Sequence, residues 1–174
     1  MRNAQQLLTQ YAAYHRDRRN IVTHFIGVPM IVFGVGVLLA GVVFVVNDVQ
    51  FTAAWIAFSL AAAWYLSRGF AVGLATSAVV GVLMLLAHQV AGGSVSAWLG
   101  WGLGSFAVGW VIQFVGHYYE GRKPAFVDDV IGLLVGPMFV VAEWMFMLGW
   151  NKPLLEAIEA EVGPTVIRDL AHPA

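Results

Sequence analysis

A histidine and a glutamate lie three residues apart where an apolar run of membrane length ends. At that spacing His117 and Glu120 share one face of a helix. The pair is typical of half a metal site, or of a histidine that its own carboxylate orients. Gly121 follows as a helix-ending residue, and Arg122 and Lys123 add two positive charges. The same pattern is also typical of a polar helix end at a membrane surface.

Two further histidines, His15 and His24, precede the first apolar run. On one continuous helix, nine steps of about 100° would place them on nearly opposite sides. A helix break near Asn20, a residue suited to capping, would let them converge. Together with the pair above, they predict a nitrogen-and-oxygen metal site of the kind that binds Fe(II), Mn(II) or Zn(II).

The composition is that of a membrane protein. Of 174 residues, 60% are hydrophobic and only 11% are charged, whereas a soluble domain carries about 25% charged residues. The formal charge of −1 argues against a nucleic-acid partner. Without cysteine, the chain has no disulfide, thiolate ligand or cysteine nucleophile. We therefore expect residues 1–174 to form a single integral membrane domain.

The hydrophobic pattern predicts an all-α fold, a polytopic helical bundle of about five apolar segments with an amphipathic helix at each end. An interfacial helix over 3–19 and the first half of the site fall within 1–24, the spans within 25–150, and a surface helix over 153–170 within 151–174. The predicted apolar segments are 25–46, 51–66, 70–90, 95–116 and 130–150. The last segment contains Gly136-Pro137, so one kinked span and a re-entrant pair are both open.

The basic residues indicate an orientation. With four spans up to residue 116, one side of the membrane carries all the cations of this part of the chain, namely Arg2, Arg16, Arg18, Arg19, Arg68, Arg122 and Lys123. The positive-inside rule makes that side cytoplasmic. His88 then falls near the opposite face, about 30 Å from the other histidines. His172, close to the carboxyl terminus, is expected to be a solvated tail residue.

Two other classes of protein remain open at this point. The first is a membrane redox protein linked to haem or quinone, with histidines of two helices as axial ligands. The second is a non-catalytic metal-binding or scaffold protein of the membrane. A nucleophilic hydrolase is not supported, because no Gly-x-Ser-x-Gly elbow is present. The tyrosines at the site end fit interfacial aromatics, one of which could donate a hydrogen bond to a substrate: Tyr11, Tyr14, Tyr118 and Tyr119.

The motif residues resemble those of the membrane-bound 2-hydroxy fatty acid dioxygenases. That family contains the fungal enzyme of fatty-acid α-oxidation and its bacterial relatives. The residues that carry the resemblance are Tyr14-His15, Asn20, His24, Pro29, Gly116-His117, Glu120 and Arg122-Lys123-Pro124-Ala125. The resemblance covers most of the chain, from about residue 7 to residue 150.

The resemblance implies an Fe(II)-dependent reaction with O2, in which a 2-hydroxy fatty acid loses its carboxyl carbon as CO2. It implies that His117 and Glu120 are catalytic and that iron is bound by His15, His24, His117 and Glu120, where Glu120 is either a ligand itself or the partner that orients a ligating histidine. By their position and chemistry, Arg122 and Lys123 are candidates to receive the substrate carboxylate, and Tyr118 is a candidate hydrogen-bond donor to it. The acyl tail would lie among the spans of a bilayer, taken to be a bacterial inner membrane. Chain length, enantiomer and oligomeric state do not follow from the sequence.

Overall fold

The computed structural model describes residues 2–169, and most of them are helical. The helices are α1 (Ala4–Ala12), α2 (Arg18–Ala40), α3 (Ala53–Arg68), α4 (Phe70–Ala91), α5 (Val95–Glu120), α6 (Gly132–Met147) and α7 (Lys152–Val162). A hairpin of β1 (Val43–Val46) and β2 (Val49–Thr52) joins α2 to α3, and a 3₁₀ turn at Ala125–Val127 joins α5 to α6. The predicted all-α bundle is confirmed, and the hairpin is the only sheet within residues 2–169.

Three helices are long and apolar enough to cross a membrane: α2, α4 and α5. A fourth crossing exists if α6 and α7, which are bent by 114° relative to each other, count as one broken span. The remaining apolar helix, α3, has 16 residues, fewer than the roughly 20 that a span needs. The five predicted apolar segments are thus present, but fewer than five are full-length spans.

The first predicted segment, 25–46, is wrong at its carboxyl end. Helix α2 ends at Ala40, and Val43–Val46 pairs with Val49–Thr52 as an antiparallel hairpin. The turn residues Asn47 and Asp48 have φ values of 50° and 61°, the left-handed conformation that a tight two-residue hairpin turn requires. Apolar content extends across both elements, but the β-branched run and the Asn-Asp turn favour strands.

The amino-terminal helix is shorter than predicted. Asn3 and Gln6 form a capping box at the start of α1, which ends at Ala12 instead of continuing to residue 19. Asp17 caps α2 by accepting a hydrogen bond from the backbone N–H of Arg19. The expected helix break therefore lies at residues 13–17, and Asn20 is inside α2 rather than at its cap.

The carboxyl-terminal segment also departs from the prediction. Helix α6 continues through Pro137 without interruption, so the chain bends after α6 and not at Gly136-Pro137. Helix α7 ends at Val162, and the backbone of Val166 pairs with residues 16–18 through two hydrogen bonds of 2.8 Å. The predicted surface helix over 153–170 is thus replaced in part by an extended segment. His172 lies outside the described residues.

Glycines bring α2 and α5 into backbone contact. A Cβ added to Gly34 would lie 2.7 Å from the carbonyl oxygen of Gly102, and one added to Gly109 would lie 2.8 Å from that of Gly27. Any larger residue at these positions would push the helices apart. This close approach, at Gly102 and Gly109 of α5, places the site-bearing ends of both helices side by side.

The basic residues on separate segments meet at one end of the bundle. Arg68, at the end of α3, donates to the backbone carbonyl of Arg2 over 3.1 Å. Arg122, after α5, donates to the carbonyl of Ala13 over 2.9 Å, and Arg2 pairs with Asp129 at 2.7 Å. Although α3 is short, it therefore returns the chain to the end from which α2 begins.

Candidate metal and substrate site

Three histidines from separate segments converge in the interior. His15 lies in the turn before α2, His24 in the second turn of α2, and His117 in the last turn of α5. All three are buried, and each offers a ligand atom that lies within 4.8 Å of the other two. The convergence that the sequence suggested for a break between α1 and α2 is therefore present.

The hydrogen bonds of two of these rings identify their tautomers. His15 Nδ1 lies 2.7 Å from the carbonyl oxygen of Tyr11, and His24 Nδ1 lies 2.9 Å from that of Asn20. Because a carbonyl oxygen only accepts, each Nδ1 carries a proton. In the neutral rings both Nε2 atoms are then unprotonated, and they face each other across 3.0 Å.

This arrangement favours a bound cation. Burial lowers the pKa of His15 well below its usual value, and the proximity of His24 and His117 lowers it further, so His15 is neutral. Two facing nitrogen lone pairs repel each other unless a cation lies near both. His117 Nδ1 is also buried and has no hydrogen-bond partner among residues 2–169. Three neutral imidazoles fit Fe, Zn, Ni or Cu.

Local packing fixes the orientation of the rings. The Tyr11 ring stacks on His15 with 4.1 Å between centroids, and Phe139 of α6 lies 5.3 Å from the His15 ring. Next to His117, a Cβ on Gly116 would collide with Thr23 and with Asn20 Oδ1. The glycine before His117 thus permits the contact between helices that brings the imidazoles together.

Glu120 is buried, but its contacts point away from the three histidines. Oε2 accepts from the backbone N–H of Asp17 at 2.8 Å and from Asn20 Nδ2 at 3.1 Å. Oε1 accepts from Arg168 Nε at 3.0 Å and pairs with Nη2 at 2.9 Å. The group of candidate ligands in residues 2–169 contains the three histidines without Glu120. These contacts favour a supporting role for Glu120 over the predicted ligand role.

A second carboxylate, Asp17, completes this supporting network. Burial raises its pKa, but hydrogen bonds from the Arg19 side chain and from the backbone N–H groups of Arg168 and Arg19 outweigh burial and hold the pKa at about 2. Asp17 is therefore ionised at neutral pH. It joins the start of α2 to the carboxyl-terminal segment, which sequence reasoning had not connected to the site.

The three predicted substrate-binding residues lie outside the cavity beside the histidines. Lys123 Nζ pairs with Asp128 at 2.6 Å, and the Arg122 guanidinium bonds to backbone instead. Tyr118 is 72% exposed. Gly121, with φ of 68°, ends α5 as predicted and turns the chain outward, which carries the two cations to the surface.

The cavity beside the histidines has about 460 Å³ of empty space, including its open mouth. His24, His117, Tyr11 and Gln113 contribute the titratable or amide groups of its lining. Gln113 Nε2 is buried without a hydrogen-bond partner among residues 2–169, and burial raises the pKa of Tyr11, so its hydroxyl keeps its proton. Sequence reasoning missed Gln113, although a lone amide four residues before His117 shares its helix face.

These features define a helical membrane protein with a buried tris-histidine site at one end of its bundle. The family described as Mpo1-like, 2-hydroxy-palmitic acid dioxygenase Mpo1-like, matches residues 1–148. The chain therefore belongs to the Mpo1-like family. The 2-hydroxy-palmitic acid dioxygenase MPO1 of Saccharomyces cerevisiae is 31% identical to it over 156 residues, which cover 87% of this chain and 85% of the yeast protein. No solved structure matches the chain.

Proposed function

We propose that this protein is an iron-dependent dioxygenase that shortens 2-hydroxy fatty acids by one carbon. The observation that carries the proposal is the pair of unprotonated Nε2 atoms of His15 and His24, 3.0 Å apart, beside a cavity that His117 also lines. Membership of the Mpo1-like family supports the choice of substrate and of O2 as the oxidant.

The overall reaction balances without a further reductant. A 2-hydroxy acid and O2 give the acid one carbon shorter, CO2 and water. The bond between C1 and C2 breaks, C1 leaves as CO2, and C2 becomes the new carboxyl carbon. Oxidation of C1 and C2 supplies the four electrons that reduce O2, so the protein needs no second electron donor.

His15, His24 and His117 are the proposed iron ligands. When bound, iron supplies the one-electron chemistry that allows O2 to react with a closed-shell organic acid. Three ligands leave coordination positions open for substrate and O2, as in other non-haem iron oxygenases. The carbonyl groups of Tyr11 and Asn20 hold two of the rings in the tautomer that presents Nε2. Glu120 keeps the first turn of α2 in place through Asp17 and Asn20.

Gln113 and Tyr11 are the proposed partners of the substrate's polar end. A buried amide N–H without an acceptor is costly, and a bound carboxylate or hydroxyl would satisfy it. The Tyr11 hydroxyl, which stays protonated, lines the same cavity and can donate as well. In this proposal these two buried donors take the role that the sequence suggested for Arg122, Lys123 and Tyr118.

The geometry does not favour the two alternative functions. Axial ligation of haem needs two imidazoles on opposite faces of a planar macrocycle, so their nitrogens must be about 4 Å apart, at roughly 2.0 Å from the metal each. Here the Nε2 atoms of His15 and His24 are 3.0 Å apart. A scaffold protein has no need for three buried imidazoles whose lone pairs repel each other. Both alternatives remain distinguishable by metal content and absorbance.

The test uses the purified full-length protein in detergent, loaded with Fe(II) and supplied with 2-hydroxyhexadecanoic acid. Mass spectrometry should detect the acid with one carbon fewer, oxygen consumption should match it mole for mole, and ¹⁸O2 should label the new carboxyl group. Hexadecanoic acid without the hydroxyl is the matched control and should give no product. A folded, iron-loaded preparation that never yields the shortened acid would refute the proposal.

We also propose that the site faces the cytoplasm, across a bacterial inner membrane. Support comes from the basic residues at the site end and from the positive-inside rule. The chain lacks cysteine, so single cysteines at the exposed positions Arg18, Lys123 and Gln50 are unique labels. In intact cells a membrane-impermeant thiol reagent should label only the cysteine at Gln50. The reverse pattern would place the site on the outer face.

A further inference from the structure

A large apolar groove lies deeper in the bundle, between α2, α3, α4, α5 and α6. It has about 960 Å³ of empty space, including its open side, and aliphatic and aromatic side chains form nearly all of its lining. About 360 Å³ of this space is open to the centre of a water molecule, a volume at the lower end of that of ordinary ligand pockets. In the core of a soluble protein, side chains would fill a groove of this size, because an unfilled apolar space forfeits packing contacts.

The groove adjoins the cavity at the histidines. Ile31, Val32, Trp110 and Leu133 line both spaces. These four residues come from α2, α5 and α6, the helices that flank the histidine end. A chain-like ligand that passes between these shared side chains would have its polar end beside Gln113 and its apolar end among the helices.

The groove is slightly shorter than the hydrocarbon depth of one lipid leaflet. On α2 its lining extends from Ile31 to Leu39, eight residues or about 12 Å at the helical rise. Half of a bilayer's hydrocarbon core is about 15 Å. Helix α3 runs in the opposite direction, so its lining residues Tyr65, Ala61 and Ala57 mark increasing depth from the histidine end.

We propose that this groove binds the acyl tail of the 2-hydroxy acid and that its depth sets the accepted chain length. The inference rests on the proposed function for the identity of the polar head. The occupant is a single-chain amphiphile, because the two buried polar atoms of the linings that have no hydrogen-bond partner among residues 2–169, Gln113 Nε2 and His117 Nδ1, both lie at the histidine end. Each methylene that leaves water for the groove strengthens binding.

Substitutions on α3 test the proposal at two depths. Ala57→Phe blocks the deep end and Ala61→Phe blocks the groove one turn nearer to the histidines. We expect kcat/KM for long 2-hydroxy acids to fall about fourfold for each methylene that is kept out, whereas acids too short to reach the block keep their wild-type rate. The accepted length should be shorter in Ala61→Phe than in Ala57→Phe.

The matched control is Ala63→Phe, on the same helix. Ala63 is exposed and does not line the groove, so the same added ring should leave the chain-length profile unchanged. An equal shift of the profile in all three variants, or no shift in any, would overturn the proposal. Thermal melting of each variant identifies a loss of folding, in which case the labelling experiment below decides.

A labelling experiment on the wild-type protein does not depend on turnover. A long 2-hydroxy acid with a photoreactive diazirine at its last carbon is bound without O2, irradiated, and located by peptide mass spectrometry. Labels on Leu39, Ala57 or Met84 at the deep end would support the groove. Labels on lipid-facing residues of α5, such as Leu103 and Val111, would overturn it.

The two experiments separate this proposal from the proposed function. Labels at the deep end without turnover of any 2-hydroxy acid would support acyl binding in the groove and refute the proposed dioxygenase activity. Turnover with surface labelling and unchanged chain-length profiles would keep the dioxygenase and refute the groove. A phospholipid that co-purifies in the groove and that the acid does not displace would also refute the acyl-tail assignment.

Discussion

Both ends of the bundle contain buried or half-buried histidines, and the two ends differ in the partner of the Nε2 atom. At the hairpin end, His88 places Nδ1 2.7 Å from the carbonyl oxygen of Met84 and Nε2 2.8 Å from the hydroxyl of Thr52. Its ring stacks on Trp55 with 5.0 Å between centroids. At the other end, His15 and His24 each use Nδ1 in the same way, but their Nε2 atoms face each other.

The difference shows how a structural histidine can be told from a candidate ligand. In both regions a backbone carbonyl fixes the proton on Nδ1. The partner of Nε2 therefore distinguishes a structural histidine from a candidate ligand. Thr52 offers His88 a hydroxyl that can donate to Nε2, and the ring needs nothing further. Residues 2–169 offer no donor of this kind between His15 and His24, which makes their facing Nε2 atoms the place for a cation.

The largest expected effect, on metal affinity and turnover, comes from removing a histidine at the site end. Removing the histidine at the hairpin end should have no such effect. His24→Ala or His117→Ala should abolish turnover and lower metal affinity by more than the roughly 100-fold that a change in a supporting residue can cost. His88→Ala should retain the metal and the activity. Elemental analysis and oxygen uptake measure both quantities. Loss of metal in His88→Ala with retention in His24→Ala would show that the metal binds at the hairpin end instead.

A smaller effect, on stability, is expected at Glu120. Glu120→Gln removes the charge that pairs with Arg168 and should reduce the free energy of unfolding by about 1.5–3 kcal/mol, the usual contribution of hydrogen bonds to charged groups. The metal should remain bound, because the three imidazoles are intact. Glu156→Gln, at an exposed position of α7, should change neither melting temperature nor metal content. Loss of metal at unchanged stability would show that Glu120 is a ligand, as the sequence suggested.

Gln113→Leu should raise the apparent KM about 5- to 150-fold, which corresponds to the roughly 1–3 kcal/mol of an unmade hydrogen bond at a buried group. Metal content should not change. Stability should stay equal or increase, because the substitution removes an amide N–H that is unpartnered in the described part of the chain. This combination distinguishes substrate binding from a structural role. Gln89→Leu, at an exposed position of α4, serves as the control, and an unchanged KM in Gln113→Leu would exclude the proposed role.

The smallest effect is expected for the exposed cation. Lys123→Ala removes a surface ion pair with Asp128, and such pairs contribute about 0–1 kcal/mol. Turnover and KM should therefore change by less than about twofold at physiological ionic strength. Asp128→Ala should behave in the same way. A tenfold rise in KM for Lys123→Ala, without one for Asp128→Ala, would restore Lys123 as the residue that receives the substrate carboxylate.

Much of the architecture was predictable from the composition and from the residues that end helices. Apolar runs and scarce charge indicate membrane helices, and Gly121 marks the end of α5 because glycine readily adopts positive φ. The distribution of arginine and lysine placed the three histidines at one end of the bundle and His88 at the other. The hairpin was missed because hydrophobicity alone does not separate an exposed strand from the end of a span.

The sequence by itself determined which residue types were available at the site end and that His15 and His24 needed a break between them to meet. The carbonyl groups of Tyr11 and Asn20, four residues before each histidine, set the tautomers locally. Only the tertiary structure decided that the two Nε2 lone pairs face each other, because that depends on how the turn before α2 packs against the helix. Tertiary contacts also place the Arg168 guanidinium, 48 residues away, in hydrogen-bond contact with the Glu120 carboxylate. They leave the Gln113 amide N–H without an acceptor in the described part of the chain. Short spacings fix helix faces, whereas hydrogen-bond partners across the bundle depend on how the helices pack.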